Sequence, residues 1–507
     1  MSRKKTIERR TIESLIANSF LFGIGFLQNI VLVPLLLANW GASKYGLWIS
    51  IYAFFSLLQS FDFGHQNYIG NEFNKFYYTN KERARELLGS SIYVAVVIGA
   101  VALLVVIVLN LTGLVNTLVG LDRSFSEPNI GWGLVVLSTM WILAGSIGGI
   151  LVRIILPLGM MARFTYLSIV LKLFLFCILA LGAWFKWSLL QVILIYSLGE
   201  LLYSWGIFWY IRKIMPSFYP WWKHANFNTG WNNFKRSLIL TFNNFLDQLS
   251  NNGLVLVISA FLNAGAVPSF TTMRTVANTA LIGTNTFLQS VSPDVIRLHA
   301  NDEKEKLKQI LFANWFITGL PINFVFLILP LFAQSLYTWW TKGQIPYDSR
   351  LLLLLMASVS ISNFFKGFTS YLMYINDLAI NFYVSVIKAS TILVITILSI
   401  SSFGLYAPAA GFLLAEGIAG IMIYKRANKH LHEGNGDFSI QQISLAFMPV
   451  ALLLIWFMLH FAGIHFSLWT VAAFSILITI SYLTLFLKNG NYLMNRVKRM
   501  RSKPALM

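Results

Sequence analysis

Nine charged side chains interrupt stretches of sequence that are otherwise apolar. Five are basic and four are acidic: Arg153, Lys172, Arg274, Lys366, Lys388, Asp62, Glu200, Asp247 and Glu416. A charge at the centre of a membrane helix costs roughly 2.5–3.5 kcal/mol on insertion scales. Such a charge is retained when it pairs with another group, faces water or performs a function. These nine residues are therefore the first candidates for chemistry.

Polar side chains recur around these charges at helical spacing. Steps of three, four or seven place residues on one helix face, and a polar face belongs against protein or water rather than lipid. A weaker stripe near the N-terminus comprises Asn18, Gly25, Gln28 and Asn29. The stronger stripes comprise Asn243, Asn244, Asp247 and Asn251, then Arg274, Asn278, Asn285 and Gln289, and finally Asn381, Ser385 and Lys388.

Two interpretations of these polar groups stay open. They could pair across helices, as Lys172 with Glu200, and hold a bundle together. Alternatively they line a hydrated cavity, which we favour because basic groups come from both halves of the chain. A basic cavity would attract a phosphate- or carboxylate-bearing substrate and repel cations. We predict that Lys172, Arg274, Lys366, Lys388 and Arg153 bind the substrate, and that the amides Asn243, Asn244, Asn251, Asn278, Asn285, Gln289 and Asn381 line the cavity.

The four carboxylates also allow two interpretations. They could simply neutralise the lysines. Against this, Lys366 and Lys388 lie on adjacent predicted helices with only Asp377 between them near the cytoplasmic turn, which favours a basic cavity. Alternatively Asp62, Glu200, Asp247 or Glu416 could bind a proton or a sodium ion, as intramembrane carboxylates do in coupled carriers.

The elements that carry these residues are membrane helices. Of the 507 residues, 57% are hydrophobic and only 11% are charged, against about 25% charged residues in a soluble domain. A membrane-spanning helix needs about 20 mostly apolar residues. The sequence predicts fourteen, near 14–39, 46–69, 88–110, 131–156, 163–185, 189–211, 237–262, 267–296, 309–332, 351–375, 380–403, 406–424, 444–463 and 467–487.

The basic residues predict the orientation. With the N-terminus in the cytoplasm, cytoplasmic segments hold 28 of the 38 Lys and Arg, and outside loops hold 5. This bias follows the positive-inside rule and places both termini in the cytoplasm. Because the net charge of +19 is distributed as topology signals are, we expect no nucleic-acid partner.

An internal repeat divides the chain. Gly41-Ala-Ser and Gly265-Ala-Val each lead into a long, polar-spotted helix, which a charged loop and an apolar helix follow. We predict two parallel six-helix lobes at 1–215 and 216–430, with the substrate path between them. The segment 431–507 adds two helices and a basic cytoplasmic tail. Those two helices lack charged residues, which suits lipid contact, an acyl-chain groove or plain anchoring.

Several kinds of function find no support. The sequence has no phosphate-binding Gly-rich loop followed by Lys-Ser or Lys-Thr. Its single cysteine and scattered histidines give no metal-ligand spacing. No predicted extramembrane segment is long enough for a catalytic domain. We therefore expect no cofactor, no metal and no enzymatic activity. Gly145, Gly148 and Gly149 offer a close-packing surface or a bending point.

Two short motifs resemble a known family. Tyr45-Gly-Leu-Trp48, followed by Asp62-Phe-Gly64 near the end of the same helix, resembles the second helix of Wzx-type O-antigen flippases. These are lipid-linked oligosaccharide flippases of the polysaccharide-transporter branch of the multidrug/oligosaccharidyl-lipid/polysaccharide (MOP) exporter superfamily. The whole layout is similar, and it is shared with lipid II flippases. The resemblance implies an all-α polytopic fold like that of MATE transporters, with the two motifs as packing and gating elements.

The resemblance also implies a function. Family members move undecaprenyl-diphosphate-linked oligosaccharide, an O-antigen or similar repeat unit of lipopolysaccharide biosynthesis, from the cytoplasmic to the periplasmic leaflet. They work by alternating access, with ion coupling, in the bacterial inner membrane. The implied partners are the lipid-linked glycan, membrane lipid, glycan polymerase and chain-length machinery, and we expect a monomer. The alternatives are a drug or metabolite antiporter of the same superfamily and a non-transport membrane partner in glycan assembly.

Overall fold

The chain folds as a succession of helices. In a computed structural model the described residues are 2–121, 129–375, 377–432, 438–464 and 468–489. Within those ranges there is no β-strand, and the predicted all-α class is confirmed. The α-helices are α1 (Ser2–Thr79), α2 (Lys81–Leu111), α3 (Leu114–Leu118), α4 (Ile130–Trp141), α5 (Ile147–Arg153), α6 (Met161–Trp184), α7 (Leu189–Ile214), α8 (Phe227–Gln248), α9 (Leu254–Phe261), α10 (Ala266–Thr279), α11 (Leu281–Ala300), α12 (Lys304–Asn314), α13 (Leu320–Ile328), α14 (Ala333–Trp340), α15 (Ser349–Tyr374), α16 (Leu378–Phe403), α17 (Tyr406–His432), α18 (Ile440–Phe461) and α19 (Leu468–Asn489).

Each of the fourteen predicted spans falls on a helix or on two consecutive helices. Helix α1 contains the first two, joined at Gly41, where φ is 71° and ψ is 174°. Glycine fits there because it alone adopts positive φ without steric cost. Among the described residues, nine helices are long and apolar enough to cross a membrane. The chain is therefore a multi-pass membrane protein.

Three of the predicted spans contain a π-helical segment. Ile142–Ser146 joins α4 to α5, Leu249–Gly253 joins α8 to α9, and Trp315–Gly319 joins α12 to α13. A π-helical turn adds a residue to the helix and shifts the face that follows, and such turns occur frequently at functional sites. The first of these segments contributes Ser146 to the polar cluster described below.

The helices form two compact units. The first unit comprises Met1–Pro268 with Trp339–Ile345, and the second comprises Ser269–Thr338 with Pro346–Met507. The short segment belongs to the first unit because the indole Nε1 of Trp340 donates a hydrogen bond to the carbonyl oxygen of Ile30, at 2.9 Å. The predicted halves at 1–215 and 216–430 stay predictions.

The last two helices have a buried face. Trp456 on α18 and Leu485 on α19 are fully buried. Asn323 on α13 donates a hydrogen bond to the hydroxyl of Tyr482 on α19, at 3.0 Å. The pair is therefore packed onto the rest of the second unit through apolar and polar contacts on one face. The predicted tail beyond 489 lies outside the described residues.

Candidate functional site

Lys172 on α6 is an exposed lysine in the middle of a predicted span. Its ammonium forms no hydrogen bond and no ion pair within the part of the chain that the structure describes. It lies against α1, since a Cβ added to Gly25 would be 3.4 Å from the lysine Nζ. The side chain of Gln28 donates to the carbonyl oxygen of Lys172, at 2.8 Å. The weak polar stripe of the first span thus packs beside this lysine, and the ammonium is available to an anion.

Glu200 on α7 has aromatic neighbours instead of a cationic one. Tyr52 and Tyr196 lie close to each other, and both tyrosines lie close enough to feel the carboxylate charge. The ring of Trp48 contacts that of Tyr196, with centroids 5.7 Å apart. Glu200 is half-buried and forms no ion pair with any described residue. The suggested pair of Glu200 with Lys172 does not form.

Asp62 on α1 is fully buried in a neutral polar cluster. Its Oδ2 accepts hydrogen bonds from Gln66 at 2.6 Å and from Ser146 at 2.7 Å. Its Oδ1 is buried and has no hydrogen-bond partner among the described residues. A Cβ on Gly149 would lie 2.1 Å from the Gln66 amide oxygen, so one of the three predicted close-packing glycines admits this cluster. The described partners of this carboxylate are the neutral donors Gln66 and Ser146, which makes Asp62 a candidate to carry a proton.

Arg153 ends α5 and is half-buried. It forms no ion pair with the described residues. A Cβ on Gly70 would approach the Arg153 Cβ to 2.8 Å, so Gly70 allows α1 and α5 to meet at this arginine.

In the second unit, two of the predicted basic residues are engaged. The Lys388 ammonium on α16 donates to both carboxylate oxygens of Glu416 on α17, each at 2.8 Å. The guanidinium of Arg274 on α10 lies over the ring of Phe412, 4.2 Å from its centroid, and within electrostatic range of Glu416. Lys388 therefore pairs directly with Glu416, and Arg274 lies within electrostatic range of the same carboxylate.

Lys366 on α15 is half-buried. Asp377, which the sequence places between Lys366 and Lys388, is bound elsewhere. Its Oδ2 accepts from Arg426 at 2.6 Å and lies 3.0 Å from the His430 Nε2. Asp377 therefore ties the start of α16 to the end of α17, and its charge is already matched by Arg426.

The predicted polar lining is only partly exposed. Asn285, Gln289, Asn251 and Asp247 are exposed, whereas Asn243, Asn244, Asn278 and Asn381 are half-buried. The Asn251 amide donates to the backbone oxygen of Asp247, at 2.7 Å. The Oδ1 of Asn243 is buried without a hydrogen-bond partner among the described residues. The shared cavity that these residues are predicted to line stays a prediction.

The two glycines of the short motifs are packing residues, which the sequence signalled only through their place in those motifs. A Cβ on Gly46 would lie 1.8 Å from the Ala264 oxygen, and a Cβ on Gly64 would lie 2.2 Å from the Thr241 nitrogen. Between them, the hydroxyls of Ser50 and Ser259 are hydrogen-bonded at 2.9 Å. The second half of α1 therefore closely approaches the backbone of α8 at Gly64 and the backbone of the turn that follows α9 at Gly46.

No group of three or more metal-binding side chains occurs among the described residues. The polar groups above are thus arranged as single charges, an ion pair and hydrogen-bonded clusters, which suits binding an anion or a proton.

The fold is that of known transporters. The inward closed conformation of the lipid II flippase MurJ matches with a TM-score of 0.61 and 16% identity, covering 96% of this chain and 99% of that one. An inward-facing multidrug resistance MATE family transporter of the MOP superfamily matches with a TM-score of 0.58 and 12% identity, covering 80% and 94%. A MATE structure in the bent conformation matches with a TM-score of 0.51 and 13% identity, covering 85% and 96%.

Neither the protein-family models nor the curated protein sequences give a match. At these identities the structural matches establish the fold and leave the substrate to be argued from the residues.

Proposed function

We propose that this chain is a flippase that moves an undecaprenyl-diphosphate-linked oligosaccharide, an O-antigen or similar repeat unit, from the cytoplasmic to the periplasmic leaflet of a bacterial inner membrane. It acts by alternating access. The basic residues Lys172, Arg274, Lys366, Lys388 and Arg153 attract the diphosphate, and the prenyl tail stays in lipid.

The observation that carries the proposal is the state of Lys172. A mid-span ammonium without an ion pair among the described residues is costly unless water or a ligand solvates it. A diphosphate is a suitable ligand because lysine binds phosphate oxygens as a point charge. The headgroup needs such partners, since its charges and hydroxyls lose their water in hydrocarbon.

The extent of the structural matches adds support. The flippase of lipid II covers 96% of this chain, whereas the multidrug transporter covers 80%. The difference is about the length of the segment 431–507, which carries α18 and α19. A chain with this additional pair of helices is better matched in length by the flippase of a lipid-linked glycan than by the drug exporter.

The Lys388–Glu416 pair supplies a binding step in which the substrate displaces an internal carboxylate. An arriving diphosphate competes with Glu416 for the Lys388 ammonium, and protonation of Glu416 shifts that competition toward the diphosphate. Asp62, buried without a cation beside it, is the other carboxylate that a proton would stabilise. If dissipating the proton and sodium gradients leaves flipping unchanged in vesicles, Asp62, Glu200, Asp247 and Glu416 have no coupling role.

A deletion strain tests the proposal. Loss of the protein should leave undecaprenyl-diphosphate-linked oligosaccharide on the inner leaflet, where it resists an impermeant glycosidase added to intact spheroplasts. Complementation with the wild-type chain should restore access, and Lys172→Ala should restore little. Normal exposure of the glycan in the deletion strain would refute the function.

A cationic-drug antiporter is the second candidate, and the surroundings of Glu200 favour it. A carboxylate beside Tyr52 and Tyr196 is a suitable site for an organic cation, through ionic and cation–π attraction. This candidate predicts that Glu200→Gln abolishes efflux of a quaternary ammonium dye, whereas Lys172→Ala leaves efflux intact. The flippase proposal predicts no efflux of that dye by the wild-type protein.

A further inference from the structure

A cavity of about 850 Å³ lies in the first unit, where the end of α1, the start of α2 and the start of α8 meet. Its volume is within the roughly 300–1,000 Å³ of small-molecule sites. None of the nine charged residues within the spans lines it. By the predicted orientation it lies on the cytoplasmic side, because its lining comes from the segments between the second and third and between the sixth and seventh predicted spans.

The helices around this cavity are fixed to one another. The Thr229 hydroxyl on α8 donates to Glu86 on α2, at 2.6 Å. Arg85 donates from Nε to the backbone oxygen of Ser217, at 3.0 Å. Backbone contact is also close, since a Cβ on Gly230 would lie 2.7 Å from the Ser90 oxygen. The walls are therefore held in place without a ligand, which lowers the entropic cost of binding one.

Five other polar side chains of the lining have no hydrogen bond or ion pair to any described residue: Glu82, Arg83, His224, Asn233 and Arg236. The Arg83 guanidinium is placed by stacking on the ring of Phe76, 4.6 Å from its centroid. The Glu82 carboxylate accepts hydrogen bonds, the guanidinium groups of Arg83 and Arg236 donate them, and the Asn233 amide can donate and accept. They are free to bond to a ligand.

The formal charges of the lining cancel. The lining contains three arginines and three glutamates, namely Arg83, Arg85 and Arg236, and Glu72, Glu82 and Glu86. A pocket for a bare phosphate would carry a positive excess, because the phosphate charge must be matched. A neutral ligand with many hydroxyls needs donors and acceptors together and no net charge. The chemistry of this lining is that of a saccharide site.

We propose that this cavity binds the sugar part of the lipid-linked glycan before translocation, with Glu82, Asn233, Arg83 and Arg236 contacting the hydroxyls. The proposal rests on the flippase function. It adds a site that binds the glycan selectively and is separate from the basic residues that attract the diphosphate. Substitutions here change which glycan is bound, while the affinity for the diphosphate stays the same.

Binding to the full-length protein in lipid nanodiscs tests this site with two probes. One is the undecaprenyl-diphosphate-linked glycan extracted from cells that lack the protein, and the other is undecaprenyl diphosphate. The double variant Glu82→Gln with Asn233→Ala should bind the glycan probe at least tenfold more weakly and undecaprenyl diphosphate within twofold of wild type. The matched control is Glu305→Gln, because Glu305 is also an exposed glutamate in the first turn of a helix on the predicted cytoplasmic side. The control should change neither affinity.

Two results would overturn the site while leaving the flippase function standing. One is unchanged affinity of the double variant for the glycan probe. The other is equal weakening for both probes, which would indicate a general loss of structure or charge. If the wild-type protein binds neither probe, the flippase function itself fails, and the saccharide site fails with it.

Discussion

The Nζ of Lys388 on α16 donates hydrogen bonds to both carboxylate oxygens of Glu416 on α17, at 2.8 Å each. The pair is partly accessible, since the lysine side chain is 26% exposed and the glutamate side chain 18% exposed. Lys388, which we propose binds a phosphate group of the substrate, is thus paired with the Glu416 carboxylate in the conformation described. This ion pair stabilises the protein without substrate. A substrate anion that binds the Lys388 ammonium more strongly than Glu416 does can replace the carboxylate.

The Lys388–Glu416 pair predicts non-additive losses of stability. Lys388→Ala and Glu416→Gln should each lower the free energy of unfolding, because each leaves a charge or dipole without its partner. Since both side chains reach solvent, the coupling energy should be about 1 kcal/mol rather than that of a dry pair. Thermal unfolding in detergent of the two single variants and the double variant measures it. Strictly additive losses would show that the pair is not formed.

Lys172 predicts a loss of transport without a loss of folding. Lys172→Ala should lower the flipping rate at least tenfold, because the variant lacks the ammonium that meets the diphosphate, and Lys172→Arg should be milder. The thermal midpoint should change little, since the ammonium makes no contact that stabilises the described structure. Lys425→Ala, at an exposed lysine without a described partner, is the control. A wild-type rate for Lys172→Ala would remove this lysine from the substrate path.

The motif glycines predict a packing defect. Gly46→Ala forces a methyl group into the backbone at Ala264, just after α9, and Gly64→Ala forces one into the backbone of α8 at Thr241. Overpacking costs typically about 1–3 kcal/mol. Each should lower the thermal midpoint and the level of folded protein. Gly206→Ala is the matched control, because its Cβ would have no atom within 4 Å. Equal stability of all three variants would contradict the close approach of α1.

Asp377 predicts a pH-dependent stability. Burial raises the pKa of Asp377, but hydrogen bonds from Arg426, His430 and the backbone N–H of Ile380 lower it more, so that the pKa lies below its ordinary value. The carboxylate is 8% exposed. A group with a depressed pKa stabilises the fold above the pKa of the unfolded chain, about 3.9 for aspartate. That stability is lost as the pH falls through the lower, folded-state value.

Asp377→Asn should therefore lower the thermal midpoint at pH 7, and the difference from wild type should shrink as the pH falls below 4. Glu305→Gln serves as a surface control with no such trend. A difference that stays constant from pH 7 to pH 3 would mean that the ionised carboxylate is not the stabilising species.

Hydropathy predicted the spans because burial in lipid is a property of each segment alone. The break at Gly41 agrees with the two separate spans predicted on either side of it. Hydropathy could not predict the three π-helical segments, since these depend on packing against neighbours. The resemblance implied that the two motifs are packing and gating elements. The structure shows close packing at their glycines, and the gating role stays a prediction.

The partners of the charged residues were harder to predict. Helical spacing tells which residues share a face of one helix and leaves open which helix lies opposite. Lys172 and Glu200 lie on consecutive helices, α6 and α7, and do not pair. Lys388 and Glu416 also lie on consecutive helices, α16 and α17, and do pair. Asp377 lies between Lys366 and Lys388 in the sequence, and its carboxylate is bound by Arg426 and His430 at the end of α17.

Flipping by the purified protein in proteoliposomes is the most direct test of the central claim. The vesicles carry undecaprenyl-diphosphate-linked oligosaccharide from the deletion strain, and an impermeant glycosidase reports the glycan in the outer leaflet. We expect the wild-type protein to expose glycan initially confined to the inner leaflet, and Lys172→Ala to do so at least tenfold more slowly. Exposure at the rate of protein-free vesicles, from wild-type protein that is folded and correctly inserted, would contradict the account.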